Sequence, residues 1–215
     1  MSKLEQKNKR RGGIETRNKI LEESADLFSK KGYDSVSMHE IAEAVKIKES
    51  SIYNHFNCKA QILDTLFNIF IIQAPLSRPS DEELDKMLEI MQPEEIFKNI
   101  LFHVGNNSSK TLIKIAMIIN YEKFRNQKAA DVYFKNVVNE PTEYYERLIK
   151  KMINKNMVKP VDARLFAEQY NYVSIAVTKE YFMALNGLTD LNSVIRYMVK
   201  TVGFFCSLMK NQSSN

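Results

Sequence analysis

Glycine and proline are scarce, six and five in 215 residues, so few positions can break a helix. Alternating β-branched runs are also few, although 44% of the chain is apolar. That combination argues against a sheet protein and predicts an all-α fold. Only two cysteines are present, Cys58 and Cys206. They form no recognisable framework, which makes a reduced cytoplasm the natural setting. The three histidines, His39, His55 and His103, have no metal-ligand spacing with cysteines or carboxylates. No P-loop, GxSxG or HExxH pattern occurs either, so no metal, no cofactor and no enzyme is expected. The longest apolar runs, Ile69 to Ile72 and Ile115 to Ile119, are far short of the ~18 residues that span a bilayer. The basic N-terminus has no apolar stretch behind it, so neither a secretory leader nor a membrane partner is expected.

Charge is present but unevenly placed. Residues 1–19 carry Lys3, Lys7, Lys9, Arg10, Arg11, Arg17 and Lys19 against Glu5 and Glu15. The formal net charge of +5 therefore sits in this arm, and the rest of the chain sums to about zero. Such an arm is either a solvated tail or a means of neutralising phosphates and reaching a minor groove.

The stretch from Ser37 to Lys59, SMHEIAEAVKIKESSIYNHFNCK, organises the chain. Ser37 with Glu40 three residues on is a capping box, and Ile41, Ala42 and Val45 follow at helical spacing. A turn near Lys46 leads to a second helix from about Glu49 to His55. Ile47, Ile52 and Phe56 can point inward from it, whereas Lys48, Ser51, Asn54 and His55 share a polar face of little bulk. That face suits a helix lying in a DNA major groove, so the stretch reads as a helix-turn-helix.

The motif IA-x-x-x-x-I-x-x-x-S-I-Y-N-H-F-x-x-K resembles the DNA-binding head of the tetracycline-repressor (TetR) family of bacterial regulators. Ile41, Ala42, Ile47, Ser51, Ile52, Tyr53, His55, Phe56 and Lys59 carry the match. The run from Ile20 through Phe28 to Gly32 and Tyr33 is similar to the family's first helix and its exit. The resemblance implies that Ser51, Asn54 and the turn around Lys48 to Ser50 face base edges. It implies that Ser37, His39, Tyr53, His55 and Lys59 contact phosphate. Glu49 is unusual in such a place: it could accept from a cytosine amino group, or stay solvated and repel phosphate. The chain departs from the family at Lys46, where a turn glycine is usual, at Lys48, where a capping serine is usual, and at Ser50, often glycine. Cys58 stands at a capping position, where a thiol can have a lowered pKa, but plain substitution explains it as well.

Beyond the head only helices are legible. The spacing predicts a fourth helix from Lys59 with Ile62, Leu63, Leu66, Phe67, Ile69 and Phe70 apolar, ended by Pro75 and Pro79. Others follow from Ser80 to about Met91, from Pro93 to near Gly105, and from Ser108 or Ser109 through Phe124. A further stretch from about Lys128 is interrupted near Pro141 and resumes to about Asn156. Asp162 caps a helix to Leu185, and Asp190 or Asn192 caps the last, to about Met209. The division expected is 1–58, an arm and DNA-binding domain, and 59–215, a helical effector-binding and dimerisation domain.

The last helix is apolar almost all round, through Leu191, Ile195, Met198, Val202, Phe205 and Met209 and a second stripe of Val199, Gly203 and Cys206 beside Phe204. Such a helix is buried on two sides. The resemblance implies a homodimer through the last two helices, a double-stranded palindromic operator, and a small-molecule effector of unstated identity. Its pocket would draw on Met117, Asn120, Tyr121 and Phe124 with His103, Tyr145 and Tyr170, although a Met and aromatic stripe is also what plain core looks like. The expected function is a ligand-responsive regulator, most readily a repressor. The alternative is a helical ligand-binding or protein-interaction module that keeps the head without specific DNA binding.

Overall fold

The structure, a computed structural model, describes the backbone of residues 3–210 and the side chains of residues 12–210. Eleven α-helices and one π-helical segment account for the regular structure, and no strand occurs among the described residues. Packing divides the chain into two compact units. One holds the chain up to Gln73 together with Ser109–Val132, and the other holds Ala74–Ser108 and the chain from Tyr133 onward. Among the described residues, no helix is long and apolar enough to cross a membrane.

The first unit starts with α1, Lys3–Lys31, so the basic arm is helical from Lys3 and continuous with the first helix of the head. Ile20, Leu21, Ala25 and Phe28 are its buried face, and Gly32 at φ 83° ends it, a conformation that costs glycine nothing. Then come α2, Met38–Val45, and the short α3, Glu49–Ile52. Most of α4, Lys59–Leu76, follows, with α7, Lys110–Glu122, and α8, Gln127–Val132, completing the unit. α1 packs along both α2 and α7. Pro75 lies inside the last turn of α4 instead of ending it, and the helix stops one residue later.

Between α2 and α3 the backbone takes the left-handed turn that the family usually gives to glycine. Lys46 has φ 64° and ψ 44°, and its N–H donates to the carbonyls of Ala42 and Glu43. The Ile47 N–H reaches back to the Ala42 carbonyl at 3.0 Å, which closes a Schellman-type end. A side chain in this region costs about 1–2 kcal/mol, partly offset because glycine loses more entropy on folding. Lys46→Gly is therefore expected to stabilise the chain by about 0.5–1 kcal/mol, with Lys46→Ala giving no gain. Denaturant titration of the three proteins checks this, and equal midpoints would show that the turn is unstrained.

The second unit contains α5, Asp81–Ile90, α6, Pro93–Asn107, α9, Glu140–Asn154, α10, Ala163–Leu185, and α11, Leu191–Leu208. Side chains of Ser80, Asp162 and Asp190 cap α5, α10 and α11 as their spacing predicts. α10 lies between α9 and α11, and α6 packs on α11. Leu148, Ile149, Met152, Ala167, Ile96, Phe97, Val202 and Met209 form the core.

A π-helical segment, Tyr133–Asn139, leads into α9 where an interruption near Pro141 was expected. Pro141 has no N–H, so a carbonyl one turn earlier loses its helical donor. Asn171 of α10, buried, supplies a replacement: its Nδ2 donates to the carbonyls of Val137 at 3.3 Å and Val138 at 2.9 Å, and to Thr142 Oγ1 at 3.1 Å. Thr142 Oγ1 in turn donates to the Val138 carbonyl at 2.7 Å. One side chain thus satisfies a wound but irregular backbone that would otherwise be costly to bury.

Candidate nucleic-acid interface

α2 begins with both halves of its capping box. The Glu40 N–H donates to Ser37 Oγ at 3.1 Å and the Ser37 N–H donates to Glu40 Oε2 at 2.8 Å. That backbone bond, with the ammonium of Lys31 at 2.9 Å, pulls the Glu40 carboxyl down to about 2. Ile41, Ala42 and Val45 are buried beneath, leaving Ser37 and His39 exposed at the start of α2.

α3 is shorter than its sequence suggests, ending at Ile52 and not at His55. Lys48 is extended and supplies no side-chain cap, although its carbonyl accepts from the Ser51 N–H at 2.8 Å. The chain stays wound past Ile52: the Ile52 carbonyl accepts from the His55 N–H at 2.8 Å, a tighter three-residue turn, and from the Phe56 N–H at 2.9 Å, an α-helical one. Ile52 and Phe56 are fully buried, each contributing about 1.5–3 kcal/mol, and they fix which way the segment faces. Lys48, Ser50, Tyr53 and Asn54 are exposed, and Glu49, Ser51 and His55 are half-buried.

Glu49 is held. Tyr53 Oη donates to its Oε1 at 3.4 Å, and His39 Nδ1 of α2 lies 3.7 Å from its Oε2. Lys59 is placed differently from the phosphate contact expected of it. Its Nζ donates to the carbonyls of Tyr33 at 2.8 Å, Val36 at 2.7 Å and Asp34 at 3.3 Å, and sits 4.3 Å from the centre of the Tyr33 ring. An ammonium has three donors, and all three point into the loop between α1 and α2.

Two features of this unit were not foreseen. Arg17, counted only as part of the basic arm, places its guanidinium 4.8 Å from the Phe56 ring centre, so α1 covers the foot of the recognition segment. α7 is joined to α1 and its exit loop. Lys114 Nζ donates to Asp26 at 2.5 Å, and Lys30 pairs with the same carboxylate at 2.8 Å. Burial alone would raise the Asp26 pKa, but these two ammonium groups bring it below the usual value. Glu122, only 2% exposed, accepts from the Tyr33 N–H at 3.5 Å and pairs with Arg125 at 3.2 Å.

The expected effector residues divide accordingly. Met117, Asn120, Tyr121 and Phe124 belong to the first unit. There Met117 is buried core, Asn120 accepts from Lys123, Tyr121 is exposed, and Phe124 is 85% exposed with Lys123 over its ring. His103, Tyr145 and Tyr170 belong to the second unit. Tyr145 and Tyr170 meet edge to face at 4.8 Å, and Phe97 stands 5.0 Å from Tyr170 and 6.0 Å from Tyr145. Burial pushes both phenols up, keeping them neutral donors. Among the described residues, no three His, Cys, Asp or Glu side chains could hold a metal ion. Cys58 is exposed, and burial pushes the Cys206 thiol up to about 12.

Comparison with known proteins agrees with this geometry. A model of bacterial regulatory proteins of the TetR family matches residues 20–66, the segment from the buried face of α1 into α4. The negative transcriptional regulator IcaR of the icaADBC biofilm operon of Staphylococcus aureus is 27% identical over 144 residues, covering 62% of this chain and 77% of its own. Among solved structures, AibR in complex with isovaleryl coenzyme A and operator DNA superposes with a TM-score of 0.59 at 18% identity. That match covers 86% of this chain and 96% of AibR. The TetR-family regulator PfmR from Thermus thermophilus gives 0.53 at 17% identity, over 88% of this chain and 96% of its own. At such identities the structures speak for the fold, while the head motif and IcaR speak for the family. Residues 20–66 thus match the DNA-binding head of the TetR family of bacterial regulatory proteins, and the whole chain is similar in fold to regulators of that family.

Proposed function

We propose that this chain is a cytoplasmic repressor that binds a palindromic operator as a homodimer and leaves it when a small molecule binds. The carrying observation is the polar, exposed surface of α2 and α3, clamped from behind by Ile52 and Phe56. On this reading Ser37, His39 and His55 hold phosphates, while Lys48, Ser50, Ser51 and Asn54 approach base edges with Glu49, to which the Tyr53 hydroxyl is turned instead of to the phosphate expected of it. Functionally, residues 1–58 bind DNA and residues 59–215 serve effector binding and dimerisation. Repression is supported by IcaR, a negative regulator, and effector control by AibR, solved with a coenzyme A thioester and operator DNA together. In this chain the effector is assigned to the aromatic group of Tyr145, Tyr170 and Phe97.

The dimer is read from what α10 and α11 leave uncovered. Val202, Phe205 and Cys206 of the last helix, with Met209 at its C-terminal cap, face their own core. Tyr197, Phe204 and Leu208, seven and four residues apart, form an exposed apolar stripe on α11. Leu165, Tyr172 and Met183 are exposed on α10. Two helices with a second apolar face call for a second copy, and two copies present two heads to half-sites about 34–36 Å apart. Phe204 is 60% exposed, so Phe204→Glu should leave the fold intact. The variant is expected to sediment as a folded monomer at micromolar concentration. It should also lose about a hundredfold in affinity for the DNA upstream of its own gene, because one head no longer tethers the other. A wild-type monomer would rule out the homodimer, and the absence of any sequence-specific gel shift would leave the interaction-module reading.

A further inference from the structure

We propose that Glu49 reads cytosine, so that each operator half-site carries a cytosine at one fixed position facing the first turn of α3. The inference rests on the reading that α3 lies in the major groove.

Glu49 is the first residue of α3, and N-terminal residues of a recognition helix are those that meet base edges. A carboxylate is an unfavourable choice for a surface that approaches phosphates, unless it finds donors there. Major-groove edges provide two kinds of donor, the N4 amino group of cytosine and the N6 amino group of adenine. Adenine presents its N7 lone pair beside N6, which a carboxylate meets as repulsion. Cytosine presents N4 beside a C5–H, so an acceptor-only side chain selects cytosine.

The structure adds that this carboxylate is aimed. Tyr53, one turn later on the same face, donates to Oε1, and His39, projecting from α2, lies beside Oε2. His39 also lies 3.6 Å from Glu43 of its own helix, so a single imidazole sits between the two carboxylates. Two ionised oxygens have about four acceptor positions between them, and the Tyr53 hydroxyl uses one. Glu49 remains 41% exposed, open for a base to approach. Tyr53 and His39 are thus positioning residues for Glu49. A carboxylate at a helix N-terminus also favours the helix dipole. That role, however, predicts a change in stability with no change in base preference.

Selection of operator sequences from a random duplex library separates the two roles, with the full-length wild-type protein, Glu49→Ala, Glu49→Gln and Tyr53→Phe, each checked for helical content. The wild type should enrich cytosine at one position per half-site, by about tenfold over the other bases. Glu49→Ala should lose the preference at that position alone and bind unrelated DNA more tightly. Glu49→Gln, whose amide both donates and accepts, should shift the position toward adenine. Tyr53→Phe should weaken the cytosine preference more than it changes any other position. An enriched wild-type sequence without that cytosine, or an unchanged profile in Glu49→Ala, would overturn the assignment while leaving the operator intact. A wild type that enriches nothing would instead overturn the operator reading beneath it.

Discussion

Lys59→Met is expected to lower the stability of the chain by about 2–4 kcal/mol and to leave the salt dependence of DNA binding nearly unchanged. Methionine keeps the length and packing of the side chain and removes only the ammonium. That ammonium now donates to the carbonyls of Tyr33, Asp34 and Val36, and Val36 immediately precedes the Ser37 cap of α2. Charge-assisted hydrogen bonds contribute about 1.5–3 kcal/mol each when well made, and the partial exposure of the site reduces their sum. A phosphate-binding lysine predicts something different: full stability, with the slope of log affinity against log salt flattened by about one. Thermal unfolding and a salt titration on one operator duplex therefore decide the matter. A loss of about 5–10 °C with the slope retained supports the loop role. Full stability with a flatter slope would return Lys59 to the DNA.

What the sequence made legible was local. The caps at Ser37, Ser80, Asp162 and Asp190 each need one hydrogen bond across three residues; the first three form where the spacing places them, and Asp190 is the one of two candidates that caps the last helix. Ile52 and Phe56, four apart, are both buried. What was not legible depends on partners distant in sequence. α7 carries apolar residues at helical spacing, which mark it as buried on one side but cannot say that the side faces α1. The bond of Lys114 to Asp26 spans 88 residues, and so the stripe from Met117 to Phe124 was grouped with tyrosines of the other unit. The irregularity near Pro141 was visible because proline lacks an N–H, but the π-helical form depends on Asn171, 33 residues from Val138. Lys59 shows the same limit within the candidate site. Its motif position suggests an anion, and only the folded loop reveals three carbonyls nearer at hand.

The second large effect is expected at Arg78, in the link between α4 and α5. Its side chain is only 8% exposed, its Nη2 pairs with Glu140 at the start of α9, and its guanidinium carbon lies 4.9 Å from the Tyr144 ring centre. Nη1 is buried with no acceptor, so the cation already carries part of its desolvation cost uncompensated. Glu140→Gln removes the counter-charge and leaves that cation in place. Breaking a buried pair in this way costs about 3–5 kcal/mol, and the 34% exposure of Glu140 lowers the expectation to about 2–4 kcal/mol. Arg78→Met should cost less, about 1–2 kcal/mol, because the carboxylate left behind can turn to water and methionine fills most of the space. In the double variant neither charge is stranded, so it should be more stable than Glu140→Gln alone. A positive coupling of about 1–3 kcal/mol in the double-mutant cycle, measured by denaturant unfolding, is the expected signature. Strict additivity, or a Glu140→Gln midpoint equal to that of the wild type, would show that the pair is solvated and that the second unit is held together by its apolar core alone.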